Sequence, residues 1–77
     1  MAIKVRFFAS LAEQMGTRQT TVDPVGGETV SSVWQSISGG AAMPEEMLVA
    51  VNMNYCDADQ SLVDGDEVAY FPPVTGG

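Results

Sequence analysis

The chain is 77 residues long, enough for one small domain, and its 45% hydrophobic fraction excludes an intrinsically disordered body. It has no histidine and a single cysteine, Cys56, which excludes a Ser-His-Asp triad, a Cys-His pair and an internal disulfide. Three basic residues, Lys4, Arg6 and Arg18, face ten acidic ones; the net charge of −7 repels nucleic acid and anionic membranes.

That charge either attracts a basic protein partner or simply keeps the chain soluble. Residues 1–8 lack the continuous apolar core of a signal peptide, and no apolar run is long enough to cross a bilayer. The expected location is the cytoplasm, where a lone cysteine stays reduced.

In chain order, Ile3, Val5 and Phe7 alternate with Lys4, Arg6 and Phe8, the period-two pattern of a strand with one buried face. Ser10 and Glu13 have the spacing of a capping box at a helix start, and Gly16 suits the left-handed residue that closes it. Thr20, Thr21 and Val22 predict a second strand, stopped at Asp23-Pro24 and Gly26-Gly27. Thr29 caps a second helix whose Val30, Val33, Trp34 and Ile37 form one apolar stripe. Trp34 reads as a core anchor, and Gly39-Gly40 closes the helix.

After a loop over residues 41–47, Leu48, Val49, Ala50 and Val51 predict a third, central strand. Asn52-Met53-Asn54 then turns the chain into a short Tyr55-Cys56 segment. Residues 57–66 are polar, with Leu62 and Val63 expected to tuck underneath, and Asp64-Gly65-Asp66 makes a tight turn. Val68 and Tyr70 alternate with Ala69 and Phe71 in a last strand. Pro72-Pro73 stops it, because proline donates nothing to a sheet ladder. The order predicts an α+β domain with one sheet face covered.

Most reactive groups are easily set aside. Glu45-Glu46 and the pair Asp64 and Asp66 read as solvated loop charges. Asp57, Asp59, Asp64 and Asp66 do not match an EF-hand spacing, and neither glycine pair is followed by the Lys-Ser or Lys-Thr of a phosphate loop. No metal or cofactor site is expected. Asp57 and Asp59 beside Cys56 should raise its pKa, so a packed, unreactive thiol is expected there.

The end of the sequence is different. Phe71-Pro72-Pro73-Val74-Thr75-Gly76-Gly77 has no charged side chain. Two prolines favour an extended, stiff start, and two glycines present a carboxylate with no side chain beside it. Such a terminus fits a narrow tunnel and leaves its carbonyl open to attack. That suits a carboxylate activated by another enzyme with ATP. Strand pleating adds that if Ile3, Val5, Phe7, Val68 and Tyr70 point to the core, Phe8 and Phe71 point away from it. An exposed pair of phenylalanines near the tail, joined by Tyr55, would form a docking patch. For Phe8 and Tyr55 the pattern leaves cover by a loop as an alternative.

The sequence resembles the family of molybdopterin synthase small subunits. The resemblance lies in IKVRFFASLAEQMGT, LVAVNMNY and, most specifically, LVDGDEVAYFPPVTGG. It implies a ubiquitin-like β-grasp fold, a mixed sheet with one main helix packed on one face. Residues 1–77 would form one sulfur-carrier domain with residues 72–77 as a protruding tail. It further implies that an E1-like enzyme adenylates Gly77 with ATP and that a sulfur donor protein converts the adduct to a thiocarboxylate. The tail then enters the large synthase subunit, Gly76 lining the tunnel with Gly77, and sulfur passes to cyclic pyranopterin monophosphate. Phe8, Tyr55 and Phe71, with Pro72, Pro73, Val74 and Thr75, fall at partner-binding positions of the family. The catalytic side chains would lie on the large subunit, in a heterotetramer. The sulfur carrier of thiamine thiazole synthesis and a ubiquitin-like protein modifier are the competing readings.

Overall fold

A computed structural model describes residues 2–72. Strand β1 (Ile3–Phe7) buries Ile3, Val5 and Phe7 and exposes Lys4 and Arg6, as its alternation predicts. It ends in a tight turn in which the Leu11 amide donates to the Phe8 carbonyl. Ala9 stands in that turn at φ 53° and ψ −132°, the first central position of a type II′ turn, which favours glycine.

Helix α1 (Ser10–Met15) starts directly from this turn, and no side chain caps it. The predicted Ser10–Glu13 capping box is therefore not formed. Ala9 occupies the cap position, so Ser10 already lies inside the first turn, one place too late to cap it. Gly16 closes the helix in the left-handed conformation at φ 75°, as expected. Strand β2 (Gln19–Val22) then pairs antiparallel with β1, from Ile3 opposite Val22 to Arg6 opposite Gln19.

The main helix is α2 (Val30–Ile37), and Thr29 caps it fully. The Ser32 amide donates to Thr29 Oγ1 at 3.1 Å, and the Thr29 amide donates to Ser32 Oγ at 2.8 Å. Val30, Val33 and Trp34 are buried, while Ile37 is half-buried at the rim of the core. Beyond the following loop come β3 (Leu48–Val51), β4 (Asn54–Cys56) and β5 (Glu67–Phe71). Asn52 and Met53 join β3 to β4 with positive φ at both residues, 51° and 70°, as a type I′ turn requires.

The sheet order is β2-β1-β5-β3-β4, with β5 parallel to β1 and antiparallel to β3. The central strand is thus β5, not β3 as the apolar run Leu48–Val51 predicts. No residue of β5 is fully exposed, which suits a strand flanked on both edges and at least partly covered on both faces. Leu62 is buried as expected, but Val63 is 64% exposed. Its amide is held by Asp66 Oδ2, while Leu62 joins the core cluster.

One face of the sheet carries the core: Ile3, Val5 and Phe7 from β1, Val68 and Tyr70 from β5, and Val49 and Val51 from β3. Val30, Val33 and Trp34 of α2 complete the same cluster with Leu11 of α1. The opposite face carries no helix among the described residues. Among the described residues, no helix is long and apolar enough to cross a membrane.

Candidate functional site

The uncovered face is read most easily as rows across the strands. One row runs Gln19, Arg6, Ala69, Ala50 and Tyr55, each opposite the next in the sheet register. The two alanines in its middle are too short to fill the space above the sheet. The result is a shallow hollow floored by Ala69 and Ala50 and walled by Phe8, Phe71, Tyr55, Met53, Arg6 and Glu67.

The walls are largely aromatic. Phe8 and Phe71 stack with ring centroids 4.7 Å apart and planes 13° apart. Tyr55 tilts toward Phe71 at 6.1 Å and is 74% exposed. The Arg6 guanidinium lies 5.4 Å from the Phe8 ring centroid, within cation–π range, and 4.0 Å from Glu67. Phe8 is brought here because its amide continues the β1–β5 ladder to the Tyr70 carbonyl, just before the Ala9 turn.

Of the residues singled out from the sequence, Phe8, Tyr55 and Phe71 converge on this face. Phe8 and Phe71 are half-buried against each other, while Tyr55 is open. Pro72 follows β5 and is half-buried. Pro73, Val74, Thr75, Gly76 and Gly77 lie outside the described residues.

Sequence reasoning missed Arg6, Met53 and the alanine floor. Arg6 shares the alternation that places Phe8 on this face, so its position was available. Met53 is 91% exposed at the tip of the β3–β4 turn, and only the turn type, invisible before pairing is known, aims it here.

Cys56 faces the other side of β4 and packs against the core. Its thiol is pushed up by burial and then by the charge of Asp57, against a smaller opposing effect from a hydrogen bond with the Val51 backbone. Among the described residues, no three Cys, Asp or Glu side chains are grouped to hold a metal ion.

A mixed five-stranded sheet that grips one main helix and leaves its other face open defines a ubiquitin-like β-grasp protein. Comparison with known families matches residues 5–77 to the ThiS family. The chain is 42% identical to the molybdopterin synthase sulfur carrier subunit of Escherichia coli K12, over 97% of its own length and 99% of that protein. To the Homo sapiens subunit of the same name it is 33% identical, over 97% of this chain and 93% of that one. The crystal structure of H. volcanii small archaeal modifier protein 1 matches with a TM-score of 0.80 at 28% identity, over 95% of this chain and 98% of that one. The chain belongs to the ThiS family.

Proposed function

We propose that this chain is the sulfur carrier subunit of a molybdopterin synthase and that it acts through Gly76 and Gly77. The observation that carries the reading is the 42% identity spanning 97% of this chain and 99% of the E. coli carrier subunit. The open aromatic face beside the exit of β5 supports it, because a carrier needs a grip close to its reactive end.

In this reading an E1-like enzyme joins the Gly77 carboxylate to AMP at the expense of ATP, with pyrophosphate leaving. Adenylation turns a carboxylate oxygen, a poor leaving group, into a good one. Sulfide-level sulfur supplied by a donor protein attacks the acyl carbon, AMP leaves, and a thiocarboxylate remains. The face formed by Phe8, Tyr55 and Phe71 docks on the large subunit, and Pro72, Pro73, Val74 and Thr75 lead Gly76 and Gly77 into its active site. There the thiocarboxylate sulfur bonds to a carbon of cyclic pyranopterin monophosphate and displaces an oxygen substituent; water then cleaves the resulting thioester, so the sulfur stays on the pterin and Gly77 leaves as a carboxylate. Two such deliveries build the dithiolene.

Incubation with an E1-like enzyme, ATP and a sulfur donor should raise the intact mass by one oxygen-to-sulfur exchange. Deletion of Gly76-Gly77 should abolish both the mass change and the sulfuration of the pterin. A deletion variant that still supported pterin sulfuration would sink the proposal. Higher-mass conjugates on a denaturing gel would point instead to a protein modifier.

A further inference from the structure

We infer that the alanine-floored hollow is a socket for one apolar side chain of a partner protein whose adjoining surface carries carboxylates. The inference rests on the docking role proposed above and specifies the chemistry of the partner at that face. Three observations carry it.

The first is shape. In the row Arg6, Ala69, Ala50, Tyr55, the short residues occupy the two middle strands and the long ones the flanks. Strands lie about 4.8 Å apart, so the β1 and β4 backbones that carry the flanks stand roughly 14 Å apart, with a narrower gap between their side chains. That gap admits a Leu, Met or Phe side chain with its backbone resting on the rims.

The second is charge. The net charge of −7 argues for a basic partner at long range. The open face argues otherwise at contact range. Its strand positions hold two of the three basic residues, Lys4 and Arg6, and Glu67 as their only acid. Lys4 makes no ion pair among the described residues, and Arg6 makes one long contact, at 4.0 Å. Two cations on the β1 side and an apolar wall on the β4 side give the face a direction. The partner's carboxylates must lie toward β1, and its apolar knob must enter over Ala69 and Ala50.

The third is strain. Met53 sits at φ 70° in the second position of a type I′ turn, where glycine is the relaxed choice, and its side chain is 91% exposed. A long apolar side chain held in solvent on a strained backbone contributes little to folding, but it deepens the socket wall.

The test measures binding of the intact chain to the purified large subunit of its synthase by calorimetry, at low and at high salt. Ala69→Leu fills the socket from its floor. It should weaken binding at least about tenfold while far-UV circular dichroism stays native. Arg6→Glu on an exposed side chain serves as the second variant should Ala69→Leu fail to fold. It should weaken binding by about as much and reverse the salt dependence. Wild-type affinity in either folded variant overturns the socket, and so does tighter binding by Arg6→Glu. In those cases, tail-dependent sulfur transfer by the wild type would leave the carrier function standing. No binding by the wild type would remove both.

Discussion

The phenol of Tyr70 donates a 2.7 Å hydrogen bond to the carbonyl of Val30, 40 residues away in sequence, and ties the central strand to the first turn of α2. Both residues are fully buried. Tyr70→Phe keeps the ring and removes the bond, so it should cost about 1 kcal/mol. Urea titration should show a lower midpoint at an unchanged slope.

The same group makes stability depend on alkaline pH. Burial, and then the nearby charge of Cys56, push the Tyr70 hydroxyl well above the ordinary tyrosine value. The folded state thus holds its proton more tightly than the unfolded chain. Its contribution is fully present below about pH 10, where an unfolded tyrosine titrates, and is lost as pH rises toward the folded value. Wild-type stability should fall above about pH 10, by as much as about 1.4 kcal/mol per pH unit from this group, and Tyr70→Phe should flatten that limb. Equal alkaline slopes for the two proteins would contradict this origin.

Cys56 should be a slow thiol. Its pKa is raised by burial and then by Asp57, so little thiolate exists near neutral pH. In an Ellman assay at about pH 8 the native chain should react more slowly than the same chain in denaturant. Asp57→Asn should recover part of the difference.

Trp34 is buried, and its indole Nε1 finds no hydrogen-bond partner among the described residues. Trp34→Phe removes an unpaired donor along with some volume, so its cost should stay within about 1.5 kcal/mol. Trp34→Ala leaves a cavity beside Tyr70, whose ring lies 5.2 Å away, and should cost about 3–5 kcal/mol. Thermal melts of the two variants test the contrast.

Ala9 and Met53 hold backbone conformations that glycine adopts without strain. Ala9→Gly and Met53→Gly should each raise stability by about 1 kcal/mol, read as a higher melting temperature. A fall in both would show that the turns are held by side-chain contacts instead.

Periodicity made much of this fold legible. The alternation through Ile3, Val5 and Phe7, the stripe of Val30, Val33 and Trp34, and the buried pair Val68 and Tyr70 each encode which face is covered. The outward pairing of Phe8 with Phe71 followed from the same arithmetic. Strand order did not follow, because an apolar run marks burial without naming a neighbour. Leu48–Val51 is as apolar as a central strand, yet β5 takes the centre. The Ala9 turn was hidden because alanine gives no hint of a positive φ. The alanine floor was hidden too, since Ala50 and Ala69 meet only through long-range register. The family resemblance, with its implied fold and carrier role, agrees with the ThiS match and the relatives found.

The position of β5 has a mechanical consequence. It is the last strand before Pro72, and ladders grip it along both edges, β1 on one side and β3 on the other. Traction on the chain beyond Pro72 runs along the strand axis and loads both ladders in shear. Their bonds must then rupture together rather than peel one after another. A machine that hauls on this end therefore tows the whole domain without unravelling it.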